Sequence, residues 1–152
     1  MAARRSALTA VHIRELHSDD FSAALRLYQI LTRDPVPVSE SHEAFNTVLH
    51  HPGTSIFGME QDGTIVAMTT LHLLPNMTSG GRPYALIENV VTDPEHRGQG
   101  IGRAVLQACI DCAKSANAYK IMLLTGEARG ARGFYEKLGF SGHEKHGLVL
   151  RF

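Results

Sequence analysis

The feature that most constrains the fold of this 152-residue chain is a glycine-rich turn that joins an apolar strand to an amphipathic helix. The strand pattern runs from Tyr84 to Thr92, and the following helix repeats apolar residues at helical spacing from Ile101 to Cys112. Between them lies the segment RGQGIGR, residues 97–103. Free backbone N–H groups at a helix start, together with the helix dipole, form a site for phosphate. The turn is therefore a candidate anion site, or else a turn whose glycines only supply unusual backbone angles.

The predicted elements on either side of this turn indicate a mixed α/β domain. Their order is strand, two helices, three strands, helix, strand, helix and two strands, which differs from a regular βαβ array. An Asp62-Gly63 pair between two β-rich runs predicts a hairpin. The predicted strands cover residues 11–16, 55–60, 64–74, 84–92, 120–124, 140–144 and 148–152, and the predicted helices begin near residues 21, 39–41, 101 and 131. Residues 11–152 are predicted to form one domain, preceded by a flexible N-terminal tail at residues 1–10.

Charge and hydropathy narrow the classes of function. Lys plus Arg and Asp plus Glu number 15 each, and this zero formal net charge argues against a general nucleic-acid binder. No apolar run reaches membrane-spanning length, and the first ten residues lack the apolar segment of a signal peptide. We therefore expect a cytoplasmic protein that acts without a nucleic-acid or membrane partner.

The positions of cysteine and histidine predict no metal site. Cys109 and Cys112 share the predicted buried face of one helix and lack a second ligand pair. This arrangement favours core packing over zinc binding or redox chemistry. The nine histidines are scattered and show no ligand spacing.

The turn matches neither of two common phosphate motifs. The dinucleotide fingerprint G-x-G-x-x-G needs a third glycine where Arg103 stands, and no Gly-Lys-Ser/Thr of a P-loop occurs in the chain. Arg97 and Arg103 add positive charge beside the glycines, which suits a diphosphate. Neither NAD nor ATP is therefore the expected ligand.

Two segments resemble motifs of the GNAT superfamily of N-acetyltransferases. Residues 90–102, VVTDPEHRGQGIG, resemble its acetyl-CoA-binding motif, and residues 134–140, FYEKLGF, resemble the motif that follows it. The resemblance implies a GNAT-like fold, with a central mixed, mostly antiparallel twisted sheet that is splayed at the fourth strand and flanked by about four helices. Residues 87–91 and 118–121 look most like the glucosamine-6-phosphate N-acetyltransferase branch.

The chain departs from these family patterns at two positions. Asn89 stands where the sugar enzymes usually carry Asp, and Ala128 stands where the family often places an Asn before its last helix. The first departure concerns the acceptor, and the second removes one polar contact to CoA. Neither alters the diphosphate turn.

The resemblance implies acetyl-CoA as cosubstrate, without a metal, and assigns its binding residues. Backbone groups of the splayed strand would hold the pantetheine arm, and an N–H such as that of Val91 would polarise the thioester carbonyl. The turn would hold the diphosphate. The cofactor-binding residues expected on this basis are Val90, Val91, Thr92, Arg97, Gly98, Gln99, Gly100, Ile101, Gly102 and Arg103.

The catalytic candidates are Tyr135 and Glu88. Tyr135 matches the family tyrosine that protonates the departing thiolate, and we expect its neighbour Phe134 to pack in the core while Tyr135 faces the cleft. Glu88 is a carboxylate in an otherwise apolar strand, where burial is costly without a partner or a role, so it is the predicted general base, acting through water. The alternative is a Glu88 that points to solvent from an edge strand. Asn89 either orients substrate or caps a bulge.

The expected acceptor is a primary amine of a small molecule, with an amino sugar phosphate as one candidate. Loops at residues 34–41 and 74–83 are long enough to close the acceptor side, and His72 is a candidate for its lining. The alternatives are a protein or peptide amine acetyltransferase and a non-catalytic acyl-CoA-binding sensor. The resemblance also implies a homodimer, for which the short C-terminal strands offer pairing edges.

Overall fold

A computed structural model describes residues 10–32 and 37–152 of the chain. The predicted N-terminal tail, apart from residue 10, and residues 34–36 of the loop predicted at residues 34–41 lie outside the described residues. None of the helices in the described part of the chain has the length and apolarity needed to cross a bilayer.

A five-stranded sheet forms the centre of the described structure. Its strands follow one another in chain order, with four antiparallel strands and a fifth that pairs parallel to the fourth. The strands are β1 (Val11–Glu15), β2 (Thr54–Gln61), β3 (Thr64–Leu74), β4 (Tyr84–Thr92) and β5 (Ile121–Met122), and the α-helices are α1 (Phe21–Leu31), α2 (His42–Leu49), α3 (Ile101–Ser115) and α4 (Arg132–Glu136). The predicted mixed, mostly antiparallel sheet with four flanking helices is confirmed.

The helices cover both faces of the sheet, and β3 is therefore buried on both sides. Leu27 of α1 and Phe45 of α2 pack on one face, together with Met68 of β3. Leu106 and Cys109 of α3 pack on the other face. Burial raises the pKa of the Cys109 thiol to about 12, as expected for a cysteine packed in an apolar core.

The β2–β3 hairpin forms at the predicted Asp62-Gly63 pair. Asp62 has φ of 51° and Gly63 has φ of 79°, so both central residues of the turn are left-handed. Two-residue turns of this kind match the right-handed twist of the flanking strands. The turn fixes the register that later brings Thr54 opposite His72.

The two strands predicted at residues 140–144 and 148–152 do not form, and that prediction is wrong. A strand needs an adjacent edge, and β5, which ends the sheet, has only two paired residues. The apolar residues that suggested the last strand are exposed instead: Leu148, Val149, Leu150 and Phe152. Within a single copy of the described chain, these side chains have no core to pack against.

Candidate active site

Strand β4 carries a β-bulge at the position of the predicted site. Between the β3–β4 pairs Met68–Val91 and Thr70–Glu88, two residues of β4 lie opposite one residue of β3. The first of these two, Asn89, has φ of 54°. Asn is one of the few residues that adopts this left-handed conformation readily, so the local sequence supports the bulge. Of the two interpretations of Asn89, a place in a bulge is the one that its backbone shows.

Because of the bulge, residues before and after it that would share one face of β4 point to opposite faces of the sheet. Ile87 packs with Leu106 of α3, whereas Val91 packs with Leu27 of α1. In a regular strand two residues four positions apart share one face. The extra residue therefore turns the second half of β4 over, and it interrupts the strand where β4 begins to part from β5.

A cleft opens between β4 and β5 because the two strands pair only at Ala85–Ile121 and Leu86–Met122. Beyond this point no strand of the described residues lies on the β5 side of β4, and backbone groups that point there lack sheet partners among them. The cleft has a volume of about 280 Å³. We call it the splay cleft, and its lining residues are Leu31, Thr32, Ile87, Glu88, Asn89, Val90, Leu123, Leu124, Thr125, Gly126, Arg129 and Tyr135. The splay predicted at the fourth strand is confirmed.

Tyr135 lines the splay cleft from α4. Its ring is half-buried and meets Phe140 edge-on, with ring centroids 6.1 Å apart. Burial raises the pKa of the phenol, and the positive charge of Arg129 partly opposes that effect. The side chain therefore holds its proton throughout the neutral range, beside the bulge in β4.

The expected core position of Phe134 is not observed, because 37% of its side chain is exposed. Helix α4 has only five residues, and the apolar space beneath it is filled by Tyr135 and Phe140. The Phe134 ring instead extends toward the start of α3, with its ζ carbon 3.9 Å from where a Cβ on Gly102 would lie.

The Glu88 side chain is exposed and lines the splay cleft, so the expected burial is not observed. Its carboxylate makes no hydrogen bond or ion pair with any side chain in the described ranges 10–32 and 37–152. The bulge and the parting of β5 remove the neighbours that would have covered it. Glu88 therefore has features of both interpretations: its side chain is exposed to solvent, and it also lines the cleft.

The glycine-rich turn leaves the start of α3 open to a ligand. Gly98 has φ of 74° and Gly100, the N-cap residue of α3, has φ of 76°. No side chain caps the helix, so the first-turn N–H groups have no capping partner within the described chain. Both glycines adopt an angle that other residues disfavour, and a Cβ at either would point into open space.

The remaining turn residues divide between packing and exposure. A Cβ on Gly102 would lie 3.0 Å from Thr92 Oγ1, so only glycine lets α3 start this close to the end of β4. Arg97 Nε donates to the carbonyl oxygen of Thr92 at 3.3 Å. Ile101 is buried in the core, and its side chain is unavailable to a ligand. The exposed residues of the turn are Arg97, Gly98, Gln99, Gly100 and Arg103.

Arg129 also lies at the splay cleft, although no sequence pattern indicated it. Its Nη2 donates to the carbonyl oxygen of Leu31 at the end of α1, at 2.9 Å, and it lines the splay cleft beside Tyr135. The available signal was a basic residue shortly before α4, next to the noted Ala128.

A second pocket, of about 290 Å³, lies on the other side of Asn89. Helices α1 and α2 cover it, strand β3 forms its floor, and we call it the α1–α2 pocket. His72 lines it, together with Tyr28 and Thr70. Thr70 is 1% exposed, and its Oγ1 has no hydrogen-bond partner in the described structure; the Tyr28 hydroxyl lies nearby but outside bonding geometry. Asn89 lines both cavities, so the two meet at the bulge.

The sequence model of the acetyltransferase (GNAT) family matches residues 12–140, which is most of the chain. The chain belongs to the GNAT family of acetyltransferases. As a GNAT protein it is an enzyme of a family that uses acetyl-CoA as cosubstrate, and the bulged β4 and the turn before α3 fall inside the matched segment.

Similar proteins extend over nearly the whole GNAT chain. A glucosamine 6-phosphate N-acetyltransferase of Trypanosoma brucei brucei is 35% identical over 138 residues, covering 89% of this chain and 92% of the relative. A solved structure from Agrobacterium tumefaciens str. C58 is 41% identical with a TM-score of 0.86, covering 93% of this chain and 99% of that one. The glucosamine-6-phosphate N-acetyltransferase of Arabidopsis thaliana is 25% identical with a TM-score of 0.81, covering 94% and 98%.

Proposed function

We propose that this GNAT protein transfers an acetyl group from acetyl-CoA to the primary amine of a small molecule, with an amino sugar phosphate as the first candidate. The observation that carries the proposal is the meeting of two cavities at Asn89. One lies between β4 and the segment that follows β5, and the other lies under α1 and α2. Two substrates that enter from opposite sides would meet at the bulge.

The donor side fits acetyl-CoA, which supplies its acetyl group as a thioester. The uncapped N–H groups of α3 would hold the diphosphate, since glycines at residues 98 and 100 admit a close approach and Arg97 and Arg103 add charge. The unpaired edge of β4 from Val90 to Thr92 would bind the pantetheine amides, and an N–H there would polarise the carbonyl.

The acceptor side supports a small molecule. A cavity of about 290 Å³ is close to the size of common small-molecule sites, and residues of two helices line it. The relatives from Trypanosoma brucei brucei and Arabidopsis thaliana are both named for glucosamine 6-phosphate. Asn89 would orient the acceptor, because it lines both cavities.

Two side chains at the meeting point suit proton transfer. Glu88 is exposed in the splay cleft, where it would accept, through water, the proton that the acceptor nitrogen loses as it attacks the thioester. Tyr135 lies across the same cleft and would donate a proton to the departing thiolate. Thiols and phenols have ordinary pKa values of about 8.5 and about 10, so position matters more than a large shift in this transfer.

We also propose that two copies associate through the exposed apolar C-terminal residues. Leu148, Leu150 and Phe152 lack a partner within the described chain. The sheet ends at the two-residue strand β5, close to where Gly147 approaches Leu124. A second copy would bury these side chains at that edge.

The test is a panel of amines measured for release of free thiol from acetyl-CoA. The panel includes glucosamine 6-phosphate, unphosphorylated glucosamine and short peptides with free N-termini. We expect the amino sugar phosphate to give the highest kcat/KM. A preference for peptides would favour the peptide acetyltransferase, and one-to-one CoA binding without turnover of any amine would favour the sensor.

A further inference from the structure

A hydrogen-bonded chain of side chains leads from the α1–α2 pocket to the protein surface. Thr54 of β2 lies directly opposite His72 of β3. Its Oγ1 is 2.8 Å from Nδ1 of His72 and 3.1 Å from Nδ1 of His51. Thr54 is 9% exposed, whereas His51 is exposed just beyond the end of α2. A hydroxyl that joins two imidazoles can accept from one ring and donate to the other.

The inner end of this chain faces the expected acceptor. His72 lines the α1–α2 pocket, and its Nε2 makes no hydrogen bond within residues 10–32 and 37–152. Two positions along the same face of β3, Thr70 turns its unpartnered, buried hydroxyl to the same pocket. A buried hydroxyl without a partner is costly unless a ligand supplies one.

Among the described residues that line the α1–α2 pocket, His72 is the candidate proton acceptor. Among the described lining residues, α1 contributes the titratable Tyr28, β4 contributes the neutral Asn89, and α2 contributes only apolar side chains. Burial raises the pKa of Tyr28, so that phenol stays protonated. Glu88 lines the splay cleft rather than this pocket.

We propose that His72 removes the proton from the acceptor's ammonium group and passes it through Thr54 to His51 and solvent. The inference rests on the proposed function, since it concerns the amine that this GNAT protein acetylates. Before attack an amine that arrives as ammonium must become neutral, and imidazole is the side chain that exchanges protons near neutral pH. Thr70 positions the acceptor by hydrogen bonding to it.

The proton transfer balances without a further reactant. The N–H bond of the ammonium breaks and an N–H bond forms at Nε2 of His72. The Nδ1 proton of His72 moves to Oγ1 of Thr54 while the Thr54 hydroxyl proton moves to Nδ1 of His51. His51 then releases its Nε2 proton to water. The carbonyl end of α2 favours the transient positive charge on His51.

The experiment compares kcat/KM for the best amine between pH 6 and pH 9.5 in matched variants of the full chain. We expect His72→Gln to lower kcat/KM by about 10- to 100-fold at pH 6.5, and much less at pH 9.5, where free amine accumulates. Thr54→Val, which keeps the shape but removes the hydroxyl, should lower it by about 3- to 10-fold at pH 6.5. Thr54→Ser, which restores a hydroxyl, should recover most of that loss.

His51→Gln should behave like Thr54→Val. We call the chain His72–Thr54–His51 the relay. The matched control is His50→Gln, because His50 is the adjacent histidine and its Nδ1 hydrogen-bonds to the carbonyl oxygen of Asn46, outside the relay. It should leave the pH profile unchanged. CoA affinity, measured by calorimetry, should be the same in all variants and reports that each is folded.

Three results distinguish the ways in which the proton transfer or the proposed function can fail. If the wild-type chain acetylates an amine and His72→Gln or Thr54→Val keeps the wild-type pH profile, the relay is overturned while the proposed function stands. If the wild-type chain binds CoA and turns over no amine, the proposed function fails and the relay fails with it. A loss that is equal at every pH, and that Thr54→Ser does not restore, marks a structural role and also overturns the relay.

Discussion

At Tyr135, burial and a neighbouring charge act on the phenol in opposite directions. Burial raises the pKa and is the larger effect, and the guanidinium of Arg129 lowers it. A donor must hold its proton at the working pH and release it to a stronger base. The raised pKa satisfies the first condition, and the proposed binding of the thioester in the same cleft would satisfy the second.

Tyr135→Phe deletes only this hydroxyl and keeps the ring that packs on Phe140. We expect turnover to fall by about 10- to 1,000-fold while CoA affinity is kept. Because burial raises the pKa of Tyr135, the wild-type rate should not lose this contribution until the pH exceeds about 10. Tyr84→Phe, which removes a hydroxyl outside both cavities, is the control. Equal rates for wild type and Tyr135→Phe would remove Tyr135 from the mechanism.

Glu88→Gln tests the carboxylate on the donor side of the bulge. We expect it to lower kcat/KM most at low pH, with partial recovery as the pH rises and hydroxide in the cleft removes the proton that the nitrogen loses during attack. The expected loss at pH 6.5 is about 10-fold, because water that reaches the exposed cleft replaces part of the function. Glu144→Gln, an exposed carboxylate away from the cleft, is the control. A pH-independent rate ratio would argue against a base.

At the scale of elements, the turn between β4 and α3 combines a left-handed N-cap with a close contact. Gly100→Asp and Gly102→Asp would each place a carboxylate at the uncapped helix start, where the diphosphate is expected. We expect CoA affinity to fall by at least about 100-fold, since both charge and space oppose the ligand. Gly63→Asp is a matched control, because Gly63 has nearly the same φ as Gly100 but lies in the β2–β3 turn. Unchanged CoA affinity in folded Gly100→Asp would contradict the assigned diphosphate site.

The end of β4 is joined to α1 by an ion pair. Asp93 is 8% exposed, accepts from the N–H of Glu95 at 2.9 Å and pairs with Arg26. The N–H of Glu95, followed by Arg26, lowers the pKa of Asp93. A carboxyl group whose pKa is lower in the folded state stabilises the fold above its unfolded pKa, and the contribution is lost as the pH falls through the folded pKa.

Asp93→Asn should therefore lower the free energy of unfolding by about 1–2 kcal/mol at pH 7. Below pH 4 the difference from wild type should shrink, because the wild-type carboxyl group becomes protonated there as well. Urea unfolding at several pH values measures both quantities. Asp111→Asn, an exposed carboxylate on α3, serves as the control. A pH-independent difference would place the effect in packing rather than in charge.

For the whole molecule, sequence patterns predicted the elements whose neighbours are close in the chain. The bounds of β3 and β4 agree with the prediction, because alternating or continuous apolar runs and the Asp62-Gly63 turn define them locally. The bulge at Asn89 was only one of two interpretations, since it depends on the register with β3. The exposure of Glu88 followed from that bulge and from the early end of β5, which periodicity does not reveal.

The C-terminal prediction failed for a related reason. The apolar pattern of residues 148–152 is typical of a strand, but a strand forms only where an edge is available. Likewise, the contact of Arg129 with Leu31 joins residues that are 98 positions apart. Local patterns therefore predicted the sheet and the turn, while the pairing of distant segments determined which side chains line the cavities.

The exposed C-terminal residues predict that the chain is a homodimer in solution. Leu150 is 80% exposed and Phe152 is fully exposed, which a stable monomer rarely tolerates in one contiguous apolar segment. We expect sedimentation velocity at high micromolar concentration to show a dimer, and Leu150→Glu with Phe152→Glu to convert it to a monomer, because two buried charges at an interface lack partners. Met77→Glu is the control, since Met77 is 93% exposed but stands alone in a loop. A wild-type monomer at that concentration, or a dimer that survives the double substitution, would place the interface elsewhere or exclude it.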